Sequence, residues 1–218
     1  MHGLIRCSIG AALLFTALSA RAQLAFTVSL NTAPLVGSPN GPFSLDFQLN
    51  DGSGTNDANN TATLSNFSFG GGSAAGSPTL IGGASGDIAT TATITDSDFL
   101  NELTEGVTPG NTLSFDVNLT TNMDAGGTPD EFSFALLDVN GNIPTAGGGF
   151  FVIVDLDSAT PTVQTFTAQD PYAAIGSPQI TIAGQTVPEP SPAWFAASAL
   201  LLGIALRTRR RPSANAIP

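Results

Sequence analysis

The sequence has no lysine, one histidine (His2) and one cysteine (Cys7). Its six bases, all arginine, sit at the two ends: Arg6 and Arg21, then Arg207, Arg209, Arg210 and Arg211. Between Gln23 and Val187 there are 16 acids and no base, a net charge of −16 against −11 for the whole chain. That central stretch therefore has no His, Cys, Lys or Arg. A Ser–His–Asp or Cys–His system is excluded because no side chain there serves as its base. A zinc site built on imidazole or thiolate is excluded for want of ligands, and a disulfide framework for want of a second cysteine. Nucleic acid is not an expected partner, since Lys and Arg supply the phosphate affinity. Carboxylate chemistry and hard-cation binding through oxygen remain.

At 218 residues the chain has room for one domain plus processing segments. At the N-terminus, Arg6 precedes an apolar stretch, Ile9–Leu18, and Ala20-Arg21-Ala22 places small residues where a signal peptidase inspects them. Residues 1–22 thus read as a signal helix cleaved before Gln23. The C-terminus runs Val187-Pro188-Glu189-Pro190, Ser191-Pro192, an apolar stretch over 193–206, then Arg207, Arg209, Arg210 and Arg211. As a helix, that stretch spans roughly 21 Å, short of the ~30 Å hydrocarbon core. With its flanks it reaches across, Trp194 at one interface and the arginines at the other. The arginines are expected on the cytoplasmic side, together with a tail over 212–218, and the acidic domain outside.

Val-Pro-Glu-Pro, a short apolar helix and an Arg cluster, in that order at the chain end, resemble the PEP-CTERM sorting signal, here over residues 187–211. The resemblance implies recognition by an exosortase, a transpeptidase-like membrane protease. Val187, Pro188, Glu189 and Pro190 would then be substrate residues rather than catalytic ones. It also implies anchoring in the inner membrane and an association with bacteria that make exopolysaccharide. The middle of the chain resembles one recurrent group of PEP-CTERM proteins in its Val28–Thr32, Leu45–Leu49, Leu64–Phe67, Leu113–Asp116 and Phe134–Asp138 segments. That group brings no activity with it.

Residues 23–186 carry a period-two pattern. Phe26, Val28 and Leu30 alternate with Thr27, Ser29 and Asn31, and Phe43, Leu45, Phe47 and Leu49 with Ser44, Asp46, Gln48 and Asn50. Leu64, Phe67 and Phe69 follow among polar residues. Leu113–Leu119 and Phe132–Leu136 repeat the alternation. Such segments form strands with one apolar and one wet face. The denser run Phe150–Leu156 reads as a central strand buried on both faces, and Val163–Phe166 and Ile180–Ile182 as further strands. Gly-rich and Asn-Gly segments punctuate them. The expected fold is all-β, an antiparallel β-sandwich of jelly-roll or Ig-like type with about nine strands. Asp on edge strands would resist edge-to-edge pairing. One short helix is expected, capped by Thr95-Asp96-Ser97-Asp98, with Phe99, Leu100 and Leu103 on its apolar face and Gly106 as its stop.

Asp138, Asn140 and Asn142, alternating around Gly141, resemble the opening of a calcium loop. They equally suit a turn after a strand, and the usual distal Glu is absent. Asp51–Asp57 and Asp155-Leu156-Asp157 are open to the same two readings. A pair of carboxylates, for example Asp116 with Glu131, is the one hydrolytic apparatus this composition allows. Asp116 shares its polar strand face with Ser114 and Asn118, as a solvated acid does. Outside the apolar C-terminal stretch the only Tyr or Trp is Tyr172, which leaves few sugar platforms. The expectation is a non-enzymatic protein with no catalytic residue, exported, held at the inner membrane, then passed to the cell surface or matrix. Signal peptidase and exosortase would process it. The alternatives are a calcium- or glycan-binding module and a carboxylate-only glycosidase.

Overall fold

The structure, a computed structural model, describes residues 23–52, 57–122, 128–156 and 161–186. The signal segment with Ala20 and Ala22, the sorting segment from Val187 to Arg211, and the tail lie outside the described residues; Gln23 is the first residue inside.

Among the described residues thirteen strands follow one another: β1 (Gln23–Asn31), β2 (Phe43–Asn50), β3 (Thr61–Ser68), β4 (Ser73–Ile81), β5 (Gly83–Gly86), β6 (Ala92–Thr95), β7 (Leu100–Thr108), β8 (Thr112–Thr120), β9 (Glu131–Asp138), β10 (Gly141–Asn142), β11 (Phe150–Asp155), β12 (Val163–Thr165) and β13 (Gln179–Thr186). They form two antiparallel sheets. The first has the order β13-β1-β8-β3-β6-β5. The second has the order β12-β11-β9-β2-β7-β4, with β10 hairpinned onto β9.

The alternation read from the sequence decides which side chains meet. Phe26, Val28 and Leu30 of β1 lie on one side with Leu113, Phe115, Val117 and Leu119 of β8, all buried. Phe43, Leu45, Phe47 and Leu49 of β2 do the same beside Phe132, Phe134 and Leu136 of β9. The two apolar faces join in one core. Phe47 of the second sheet meets Phe115 of the first edge-on, with ring centroids 5.2 Å apart, and stacks on Phe134 at 5.0 Å. Phe115 in turn contacts Phe134 at 5.0 Å and Phe67 at 5.4 Å. Such ring pairs add about 0.5–1.5 kcal/mol each beyond their buried area.

Three expectations are corrected. The short helix is absent: β7 occupies Leu100–Thr108, and the only helical turns among the described residues are the 3₁₀ segments Ala33–Leu35 and Ala173–Ile175. The inward side of β7 carries Asn101, Leu103 and Glu105, all buried, so two polar residues hide its alternation. The supposed capping residues serve tertiary bonds instead. Asp96 accepts from the Asn60 N–H, and the Asn101 amide bonds Asp98, Gly83 and Leu49. The run at Phe150–Leu156 is not central: β11 lies second from an edge, with only three-residue β12 beyond it. Finally, none of the four edge strands β13, β5, β12 and β4 contains an acid.

Candidate functional site

Four groups of carboxylates bear on a possible site. On the outward side of the first sheet stands a row of Thr181, Thr27, Asp116 and Ser65, one residue per strand. Asp116 accepts from Thr27 Oγ1 at 2.6 Å and from Asn66 Nδ2 at 2.7 Å. Asn66 reaches it because β3 breaks register there and Asn66 takes a left-handed conformation, φ 55°. These donors, Asn66 before Thr27, hold the Asp116 carboxyl below its usual range. An open groove of about 240 Å³ runs alongside, lined in part by Ala25, Thr27, Ser65, Asp116 and Asn118. Asp116 is the one acid lining it. Glu131 belongs to the other sheet, so the structure does not bring this pair together.

The outward side of the second sheet is different. Asp46 lies on β2 with Thr104 and Ala135 as its direct cross-strand neighbours and Glu102 on the diagonal. It is 3% exposed; Oδ2 accepts from Gln48 Nε2 at 2.8 Å. Oδ1 has no hydrogen-bond partner among the described residues, and neither has the fully buried Ser133 Oγ on β9. Burial, and the Glu102 carboxyl beside it, push Asp46 up to about 7. Two rows along the same face from Asp46, Glu131 faces Asp155 directly across the β9–β11 ladder. Burial and then Asp155 push the Glu131 carboxyl up.

A third group closes one end of the molecule, where loops from both sheets meet. Asn60, fully buried, is the hub. Its N–H donates to Asp96, its Nδ2 to Asp130 Oδ2 at 2.7 Å and to the Asn122 carbonyl at 3.0 Å. Its Oδ1 accepts from the Asn122 N–H at 2.8 Å. Asp130 Oδ1 also accepts from the Gly52 N–H at 2.9 Å. Only glycine fits at position 52, because a Cβ there would stand 2.2 Å from the Thr128 carbonyl. Burial pushes Asp96 up to about 7; the Asn60 N–H opposes this, and Asp130 and Asp57 reinforce it. Asp51, also buried, lies on the same loop as Gly52. Sequence reasoning missed the Asp96–Asp130 pair, because residues 34 apart meet only through the fold. The available signal was position: each acid sits immediately beside a strand end.

The fourth setting is the predicted calcium loop. Asp138, Asn140 and Asn142 lie at the β9–β10 hairpin, whose turn Gly141 completes at φ 120°. Asp138 Oδ1 accepts from the Asn140 N–H at 2.7 Å, and Oδ2 accepts from the Tyr172 hydroxyl. Burial raises the Asp138 carboxyl, but Tyr172 and the Asn140 and Gly141 N–H groups outweigh it and hold it low. Both oxygens are thus engaged in fixing the turn. Asn142 packs against Gly149 instead of converging on Asp138. Among the described residues, no three acids, His or Cys are grouped to hold a metal ion. Tyr172 is 6% exposed and buried against this corner, so its ring is no open platform for a sugar. In comparisons with known proteins, no family model, no curated protein and no solved structure matches this chain.

Proposed function

We propose that this is a non-enzymatic surface or matrix protein, exported through its N-terminal segment and sorted through a PEP-CTERM signal at residues 187–211. The observation that carries the reading is the segregation of charge: every base lies outside 23–187, and 16 of the 17 acids lie inside it. Export then leaves a hydrated acidic domain outside and the arginines on the cytoplasmic side of the inner membrane. The described strands run from Gln23 to Thr186, which agrees with processing beyond both of these ends. Pairing of Gln23 with Thr186 lets both cuts fall outside the paired strands.

The strand orders support the jelly-roll form of the sandwich. β1-β8-β3-β6 and β2-β7-β4 interleave along the chain, winding Greek keys about one core. The carboxyl pairs favour a structural role. Asp96 and Asp130 are fully buried and Asp46 nearly so, while the open groove on the first sheet is lined by a single acid.

The test is the mass and location of the protein made with and without the sorting enzyme. The expected result is a species trimmed at both ends and released when the enzyme is present. A full-length chain still ending at Pro218 in its presence would overturn the reading.

A further inference from the structure

The outward side of the second sheet carries a set of oxygens that the chain leaves incomplete. Asp46 lies between Ala135 and Thr104, and the next outward row is Ser133, Gln48 and Glu102. Ser133 and Glu102 are therefore the two diagonal neighbours of Asp46. Such diagonals place Cα atoms about 7–8 Å apart. An oxygen on each side chain and an ion about 2.3–2.6 Å from both span that distance.

Two of the oxygens are taken. Asp46 Oδ2 accepts from Gln48, and Glu102 Oε1 accepts from the Thr104 hydroxyl at 2.9 Å. Asp46 Oδ1 and Ser133 Oγ are buried with no hydrogen-bond partner among the described residues. Ser133 is fully buried, and its stranded hydroxyl costs about 1–3 kcal/mol. A proton shared by the Asp46 and Glu102 carboxyls relieves their repulsion but leaves Ser133 as it is. A small metal ion serves all three oxygens. The chain has no base of its own to put there, since 23–187 contains none. A basic side chain of another protein is too large for the place, because Asp46 is almost wholly covered. Half-buried Glu102 leaves an ion a way in.

We propose that Asp46 Oδ1, the Glu102 carboxylate and Ser133 Oγ bind a hard divalent cation, of calcium's kind, on the outward side of the second sheet. All three ligands are oxygens, which suits calcium or magnesium and not a thiophilic metal. They come from three strands in an irregular set. Calcium tolerates such sets, whereas magnesium demands a near-ideal octahedron. Water and the Gln48 amide oxygen are available for the rest of the shell. The set has only two carboxyls and completes itself with neutral oxygens, so it is not one of the three-acid groupings. The Glu131–Asp155 pair, one row beyond Gln48, concentrates cations on this side. Without the ion, one proton bridges Asp46 and Glu102.

The experiment titrates calcium chloride into the full chain in detergent, first stripped with a chelator, and reads binding heat and melting temperature. The expected result is a site with a dissociation constant of about 10⁻⁴–10⁻³ M and a melting temperature that rises with calcium. Asp46→Asn should weaken binding by about tenfold or more, roughly 1.4 kcal/mol, and Ser133→Ala by about threefold. Glu102→Gln should match the Asp46→Asn loss, and decides the matter if Asp46→Asn folds poorly. Asp138→Asn, in the β9–β10 hairpin, should leave binding unchanged. No heat and no melting shift at about 10 mM calcium would leave the shared proton as the only occupant and overturn the proposal. Binding indifferent to both Glu102→Gln and Ser133→Ala would overturn it as well, by placing the ion elsewhere.

Discussion

Asp116 and Asp46 hold equivalent places in the two sheets: each is the outward acid of an interior strand whose neighbours in sequence face the core. Their surroundings divide them. Asp116 has Thr27 and Asn66 as donors and is held low. Asp46 is buried, with one donor, Gln48, and with Glu102 nearby, and is pushed up to about 7, by burial first and Glu102 after it. One alternating pattern therefore gives opposite electrostatic outcomes. What decides is burial first, which dominates at Asp46, and then the residues nearby: two donors at Asp116, one donor and another acid at Asp46. In a domain without bases, donors are the only internal means of keeping a carboxylate ionised at low cost.

The largest expected effect removes the link that both sheets share. Phe47→Ala takes away a fully buried ring touching Phe134 in its own sheet and Phe115 and Phe67 in the other. It should cost about 3–5 kcal/mol in urea unfolding followed by far-UV circular dichroism. A loss below about 1 kcal/mol would mean that the two faces are not packed on one another as described. Next comes the hub where the loops of both sheets meet. Asn60→Ala strands the Asp130 and Asn122 groups it serves. A loss of about 2–3 kcal/mol is expected in the same assay.

Proton linkage sharpens the contrast between the sheets. The folded-state values of Asp46 and Asp96, about 7, lie above the ordinary carboxylate value near 4 of an unfolded chain. Between those values the folded state binds more protons, so stability rises as pH falls from 7 towards 4 and declines as pH rises through 7. A gain of about 1–2 kcal/mol between pH 8 and pH 5 is expected, reduced in Asp46→Asn and again in Asp96→Asn. Asp116, held low, acts in the other direction, and its contribution is lost only as pH drops below about 4. Melting temperatures that climb steadily from pH 5 to 8 would contradict the assignment. The smallest effect converts one sheet towards the other. Glu102→Gln replaces the acid beside Asp46 with a donor and should raise stability at pH 8 by about 0.5–1 kcal/mol. A loss there would show that Glu102 is more valuable as an acceptor for Thr104 than harmful as a neighbour of Asp46.

β1, β2, β8 and β9 were legible because their inward positions are uniformly apolar. β7 was not, because Asn101 and Glu105 occupy inward positions and are satisfied by backbone groups from distant segments: the Leu49 carbonyl for Asn101, the Ile88 N–H for Glu105. β4 lies largely exposed at an edge, so nothing selects a periodic apolar face. The candidate carboxyl pairs were less legible than the strands. Asp138 stood out through local spacing, whereas Asp46–Glu102 and Asp96–Asp130 depend on register and loop placement, which no local pattern encodes. Asp138 itself belongs to the hairpin turn, with Tyr172, 34 residues away, as its partner.

The pairing of Gln23 with Thr186 also has a mechanical consequence. A pull between the two ends of the domain loads the β1–β13 ladder at its tip, opening its hydrogen bonds in succession rather than shearing them together. Tension applied through both ends would peel β13 away before it reached the phenylalanine core.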